Sequence, residues 1–138
     1  MEILRSDDIA TCLALRRIVF IDEQGVSEDR ELDDLDGEAI HLLARKDGHP
    51  LGSARLLIRG NTGKIGRVCV LQQARGMGLG KSLILAAIAE FRGMDGLRQV
   101  KLSSQNHAVG FYEALGFTAI GEIYDDAGIA HRDMILPL

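Results

Sequence analysis

The sequence predicts an α/β sandwich with a mixed central sheet. Two observations lead to it. Short apolar runs broken by turn residues give way, after Leu71, to two segments in which apolar residues recur at helical spacing. Between the two regimes stands a glycine-rich loop that leads from a strand into a helix, as at the start of a parallel strand–helix–strand unit.

Residues 2–5 read as a short strand. Ser6 or Asp7 can cap a helix running to about Ile21, with Ile9, Cys12, Leu13, Leu15, Val19 and Phe20 among its apolar positions. Segment 22–38 reads as loop with a helical turn. Strands 39–46 and 51–59 form a hairpin around Asp47-Gly48-His49-Pro50, and strand 64–71 follows the turn Gly60-Asn61-Thr62-Gly63 to complete a meander. A helix from about Gly78 to Arg92 carries Leu79, Leu83, Ile84, Ala87, Ile88 and Phe91 on one face, and Gly93 and Gly96 end it. Strand 99–104 precedes a helix from about His107 to Leu115, in which Ala108, Phe111, Tyr112 and Leu115 share a face. Residues 117–124 and 129–136 read as a closing hairpin around Asp125-Asp126-Ala127-Gly128. The unit from Lys64 to Ser104 is expected to be a right-handed crossover.

Composition narrows the function. The 138 residues suffice for one domain and not for two of ordinary size, so residues 1–138 are expected to form one domain. A domain near this length buries roughly 70% of its unfolded surface and needs neither disulfide nor metal to fold. Cys12 and Cys69 stand outside any CxxC pair and His41, His49, His107 and His131 are scattered, which points to a reducing compartment and no metal site. The first residues lack the basic-then-apolar order of a signal peptide, and the run Leu83–Ala89 is far too short to cross a bilayer. A cytoplasmic protein without a membrane partner is expected. The net charge of −4 argues against nucleic acid as a partner. The acids are concentrated: Asp22 to Glu38 holds nine of them and one base, Arg30. That run reads either as a solvated loop or as an acidic rim that attracts a cationic amine.

The chemistry lies in Gln73-Ala74-Arg75-Gly76-Met77-Gly78-Leu79-Gly80-Lys81-Ser82. Alternate glycines let the backbone approach a ligand, and the free N–H groups of the loop and first helical turn form a phosphate cradle, to which Arg75 and Lys81 add charge. A P-loop would need glycine where Arg75 stands, although Gly80-Lys81-Ser82 matches its end. A dinucleotide site would need G-x-G-x-x-G early in the chain and an acid closing the next strand, which instead ends in Ser103-Ser104-Gln105.

The stretch Gln73-x-x-Gly76-x-Gly78 resembles the Q/R-x-x-G-x-G/A signature of the GNAT superfamily of N-acetyltransferases. Gly66-Arg67-Val68-Cys69-Val70-Leu71 is similar to that family's fourth strand, and Gln105-x-x-Ala108-x-x-Phe111-Tyr112-x-x-x-Gly116-Phe117 to its second coenzyme A element. Glu23-Gln24-Gly25-Val26, His41-Leu42-Leu43-Ala44 and Gly128-Ile129-Ala130-His131-Arg132 resemble the ElaA-like branch. The resemblance implies a GNAT fold: a mixed sheet of six to seven strands flanked by about four helices and splayed between strands 4 and 5. It implies acetyl-coenzyme A as co-substrate, an amine of a small molecule or peptide as acceptor, direct attack in a ternary complex, and a homodimer as a family-level expectation.

Carried onto this chain, the resemblance implies that Val68, Cys69 and Val70 face the pantetheine arm. Gln73, Arg75, Gly76, Met77, Gly78, Leu79, Gly80, Lys81 and Ser82 would hold the diphosphate, with Gln105 or Asn106 near the arm. Gln105 stands where many relatives have Asn; either residue could instead cap the following helix. Tyr112 resembles the tyrosine that protonates the leaving thiolate, and it also lies on an apolar helix face. Many relatives carry Glu near the position of Arg67, which cannot serve as a base. The base stays open among Glu23, His41, Glu122, His131 and water. Cys69 reads as an acyl carrier or, more plainly, as a small buried residue. A non-catalytic acyl-coenzyme A sensor is the competing function: it would need the glycine loop but not Tyr112.

Overall fold

A computed structural model describes residues 1–138. One sheet of seven strands runs through it: β1 (Glu2–Arg5), β2 (Ile40–Lys46), β3 (His49–Arg59), β4 (Thr62–Val70), β5 (Gln99–Gln105), β6 (Thr118–Asp126) and β7 (Ile129–Pro137). Their order across the sheet is β1-β2-β3-β4-β5-β7-β6. Every neighbouring pair is antiparallel except β4 and β5, which are parallel. The helices are α1 (Ile9–Arg16), α2 (Glu28–Glu31), α3 (Leu79–Arg92) and α4 (Val109–Ala114), the last entered through a 3₁₀ turn at Asn106–Ala108. This is the mixed, helix-flanked sheet that the sequence predicts.

Three boundaries differ from expectation, each for a local reason. Asp8 caps α1, because its Oδ1 accepts the Thr11 N–H at 3.1 Å while Ser6 accepts the Asp8 N–H instead. The first helix does not stay α-helical to Ile21: beyond Arg16 it widens into a π-helix over Arg17–Glu23, where the Gln24 N–H reaches the Val19 carbonyl. The meander strands start earlier, since Lys46 pairs with His49 and Arg59 with Thr62 across two-residue turns.

Strand alternation divides the core between two faces. On one, Leu42, Ala44, Ala54, Leu56, Ile65, Val100, Leu102 and Met134 meet the apolar stripe of α3. On the other, Leu43, Cys69 and Leu71 meet Cys12, Leu15 and Val19 of the first helix. Gly63 is where α3 comes closest to the sheet: a Cβ there would lie 2.6 Å from Phe91 Cδ1.

Segment 22–38 is bound down by charge. Arg16 emerges from the buried face of α1 and donates from Nε to Glu31 Oε1 at 2.5 Å and from Nη1 to Asp36 Oδ1 at 2.7 Å. Arg55 of β3 donates to both oxygens of Asp33, at 2.7 and 3.0 Å, and to Asp36 at 3.2 Å. Arg67 of β4 donates from Nη2 to the carbonyls of Arg30 and Glu31 and to Asp33. The His41 Nε2–H adds a bond to the Asp36 carbonyl at 2.9 Å. Arg16 and Glu31 side chains are only 1% and 2% exposed, and each is held as an ion by the other together with Asp36 on one side and Arg67 on the other. Around this cluster, Glu23 pairs with Arg75, Glu28 with Arg17 and Glu38 with Arg59. Six of the nine acids are thus engaged by arginines, leaving Asp22, Asp29 and Asp34. The acidic run is therefore neither a freely solvated loop nor an unneutralised rim.

Burial works to raise the Asp33 and Asp36 carboxyls, but hydrogen bonds and charge from the arginines outweigh it and hold both below their ordinary value of 3.8. Stability from such depressed groups is fully present above that value and is lost as the pH falls below it.

Two measurements test the packing. Gly63→Ala should cost about 1–3 kcal/mol in urea denaturation, and less when combined with Phe91→Leu, which makes room. Glu31→Ala should cost about 1–3 kcal/mol by leaving the buried Arg16 Nε unpaired with only Asp36 to balance the charge, while Arg16→Met with Glu31→Leu should cost less. Acid titration followed by circular dichroism should show wild-type stability falling below about pH 4, with a weaker dependence in Asp33→Asn.

Candidate active site

The site begins where β4 and β5 part. Their pairing runs from Thr62 and Gln99 to Ile65 and Leu102 and stops, although β4 stays paired with β3 to Val70 and β5 with β7 to Gln105. A β-bulge bends β4 at this point: Ser53 faces Cys69 and Arg55 faces Gly66, so Ala54 opposes both Arg67 and Val68. Arg67 takes a positive φ of 50° there.

The main chain of the gap follows from alternation. The Leu71 N–H bonds the Leu51 carbonyl of the β3 side at 2.9 Å, so the Val70 groups turn the other way, into the gap. The Val70 carbonyl there accepts from Arg75 Nε at 3.1 Å. Cys69 is in phase with Leu71 and directs its main chain at β3. Its Sγ is buried 3.3 Å from Ser53 Oγ, and burial pushes the thiol up. This placement fits the reading of Cys69 as a small buried residue.

At one end of the gap lies the glycine loop. The Ala74 N–H returns to Leu71 and the Arg75 N–H to Gln72, and the Ser82 N–H reaches Gly78. Between them the N–H groups from Gly76 to Lys81 have no partner in the protein. Gly76 and Gly78 have φ of +83° and +75°, and a Cβ on either would meet nothing within 4 Å. Positive φ with open space in front is how successive N–H groups converge on an anion at a helix start. Val70, Ala74, Arg75, Gly76, Gly78, Leu79, Gly80, Lys81 and Phe111 line a hollow of about 300 Å³ here. These residues fit a diphosphate by main-chain donors, the Lys81 ammonium and the helix dipole.

Several residues of the motif do other work. Ser82 directs both its N–H and its hydroxyl at the Gly78 carbonyl, so it has no donor left for a phosphate. Gln73 and Met77 are exposed and line neither this hollow nor the larger cavity beyond it. Arg75 is held bidentately by Glu23 at 2.6 and 2.9 Å.

At the other end a cavity of about 350 Å³ runs from the π-helix to β7. Phe20, Gln24 and Val26 form its roof, Gly66, Arg67 and Val68 one wall, and Ser103, Gln105, Tyr112 and His131 the other. Tyr112 is wedged edge-on against Phe117 at 5.9 Å; burial pushes its phenol up, and its hydroxyl has no partner in the protein. His131 donates from Nδ1 to the Ile129 carbonyl at 2.8 Å, which leaves Nε2 with the lone pair. Gln105 reaches Gln24 at 3.4 Å and accepts from His107 at 2.8 Å; it lines the cavity and caps nothing, whereas Asn106 lies outside it.

Of the four side chains open as base, only His131 is in the cavity. Glu23 belongs to Arg75, His41 is buried on Asp36, and Glu122 is exposed on β6. Sequence reasoning missed the Ser103–Tyr124–Asp133 chain beside His131: Tyr124 stacks on that ring at 6.2 Å, shares a hydrogen bond with Ser103 and donates to Asp133 at 2.6 Å. Only strand register brings those three together. No helix is long and apolar enough to cross a membrane.

Residues 19–138 match the family described as acetyltransferase (GNAT) domain. The chain is 38% identical over 127 residues to YyaT of Bacillus subtilis, covering 90% of this chain and 85% of YyaT. It is 32% identical over 126 residues to ElaA of Escherichia coli, covering 88% and 82%. The crystal structure of ElaA superposes with a TM-score of 0.86 over 98% of this chain and 97% of ElaA. An acyl-CoA N-acyltransferase from Pseudomonas aeruginosa superposes with a TM-score of 0.89 at 33% identity over 98% of both chains. With its parted parallel strands, its glycine-loop donors and these relatives, the chain belongs to the GNAT acetyltransferase family.

Proposed function

We propose that residues 1–138 act as a single domain that transfers an acetyl group from acetyl-coenzyme A to an amine of a small molecule or peptide by direct attack in a ternary complex. One observation carries this reading: the unpaired N–H groups of Gly76–Lys81 open onto a gap whose far end holds an unpartnered tyrosine hydroxyl and an imidazole lone pair. A hollow built to hold a nucleotide alone would have no use for the second half.

Acetyl-coenzyme A supplies an activated acyl thioester. The gap-facing main chain of Val68 and Val70 is placed to pair with an amide-bearing arm as a missing strand would, and a donor there strengthens on an oxyanion that develops in the transition state. The incoming ammonium must lose a proton before it attacks, and His131 Nε2 accepts it. The departing sulfur receives a hydrogen bond or proton from Tyr112 Oη. Because burial raises that phenol, Tyr112 stays in the donating form across the neutral range and is itself never the base. Phe20, Val26 and Val68 exclude water from the acceptor end.

Thiol release from acetyl-coenzyme A with a panel of amines tests the reading; tight cofactor binding with no turnover of any amine would replace it with the sensor. Gly78→Trp should abolish coenzyme A binding in calorimetry and cost about 1–2 kcal/mol of stability for a side chain at positive φ, the side chain itself entering open space. Tyr112→Phe should lower kcat about a hundredfold with little change in the Kd for coenzyme A. His131→Ala should lower kcat by a similar factor, and added imidazole should restore part of it.

A further inference from the structure

The cavity wall opposite Tyr112 has a charge asymmetry that the transfer reaction does not require. The charged side chains facing the cavity are Arg30, Glu31, Arg67 and Asp126, with His131 the other titratable group at the acceptor end. Neither carboxylate is free for an ammonium. Glu31 is 2% exposed and holds Arg16, with Arg67 Nε also 3.5 Å away. Asp126 lies at the outer edge, 4.0 Å from Arg30.

Arg67 is the reverse case. Its Nη2 is committed to the carbonyls of Arg30 and Glu31 and to Asp33. Its Nε is buried without a hydrogen bond. Its Nη1 makes no hydrogen bond and is not fully buried, on a residue that lines the cavity. The guanidinium is under-neutralised as well: burial, then the charges of Arg55 and Arg16, weigh against its charged form more than Asp33 and Glu31 favour it. A backbone at φ +50° is uncommon for arginine, and here it belongs to the bulge that brings this residue to the wall. Strain of this kind persists where the surroundings over-determine it and clusters at sites with a task.

We infer that Arg67 makes the acceptor end of the cavity a carboxylate-binding subsite, so that the amine acetylated is a small one carrying its own carboxylate, an α-amino acid being the simplest. The inference rests on the proposed acetyl transfer for the word acceptor, but the anion subsite stands on the charges alone. Arg67 Nη1 donates to the carboxylate in a charge-assisted hydrogen bond, while Arg30 and Asp126 offset each other at the outer edge. The nine apolar residues lining the cavity suit an aliphatic or aromatic body. An arginine where a base would be expected is then a recognition group, and proton removal falls to His131. A cationic acceptor such as a diamine would meet Arg67 with no carboxylate to relieve it.

Wild-type protein decides this without mutation. Initial rates of thiol release are compared for leucine, methionine and phenylalanine, for the corresponding carboxamides, and for putrescine. The expected result is a kcat/KM at least tenfold higher for each acid than for its amide, against the greater share of neutral amine in the amide. Equal or faster turnover of amides or diamine would overturn the subsite while leaving the acetyltransferase intact. If no amine is turned over, calorimetry of N-acetylleucine against N-acetylleucinamide, with coenzyme A present, separates the failures. Tighter binding of the acid keeps the subsite without the reaction; equal binding, or binding of neither, removes it. Arg67→Gln should erase the acid preference and Arg67→Lys should retain part of it, with folding verified by circular dichroism.

Discussion

The hydrogen-bond ladder between β4 and β5 stops after Ile65 and Leu102, and the larger cavity lies along the space that the missing rungs leave. Were the ladder continued, the main chain of β4 beyond Ile65 would pair with that of β5 beyond Leu102, and the cavity wall would close. The parting holds because each strand is secured on its other side, β4 by β3 to Val70 and β5 by β7 to the pair Gln105–His131. The bulge at Ala54 sets the direction in which β4 leaves. A positive φ at arginine costs about 1–2 kcal/mol, and that is offset because the same guanidinium is gripped by two carbonyls and Asp33. One residue thus opens the gap, faces it and fastens the segment that roofs it.

That roof explains why charges are buried in so small a protein. A buried ion cluster contributes little net stability, because desolvation cancels most of the Coulomb attraction. Its value here is positional. Arg16, Arg55 and Arg67 come from three different elements and converge on Glu31, Asp33 and Asp36, which lie within one short stretch. A loop held by apolar contacts alone could slide; one held by bidentate and shared arginine bonds has a single register. Gln24, Val26, Arg30 and Glu31 are placed over the cavity by that register. The pair Glu23–Arg75 then joins the roof to the glycine loop, so the two ends of the gap are mechanically connected.

How much of this could be read from the chain depends on whether a feature is local. The glycine loop was legible because its chemistry resides in consecutive main-chain groups, and the α3 stripe because helical periodicity is written in a single segment. Tyr112 and the parted strands came from resemblance; no local pattern separates a catalytic tyrosine from a core one on the same helix face. The arginine cluster was not legible, and segment 22–38 looked like a solvated acidic run, because its partners lie on α1, β3 and β4. One signal was nonetheless present. Arg16 sits at helical spacing with Cys12, Leu15 and Val19, a core position, and an arginine there demands buried acids from elsewhere. Nine acids close by in the sequence were the available source. Nothing local to His131 set it apart from Glu23, His41 and Glu122; its place opposite Gln105 at the gap comes from strand register alone.

The two ends of the gap are also built from different materials, and this separates what family membership settles from what belongs to this chain. Main-chain N–H groups at a helix start recognise an anion whatever the neighbouring side chains are, so the glycine-loop end tolerates sequence change as long as Gly76 and Gly78 keep their φ. The acceptor end is made of side chains held by side chains: Arg67 by Asp33 and the α2 carbonyls, His131 by Ile129, Tyr112 by Phe117. None of those contacts involves a residue between Gly76 and Lys81. On the proposed reading, acceptor identity rests on the arginine–acid cluster and the bulge beside it, and the diphosphate on main-chain groups that the cluster does not touch.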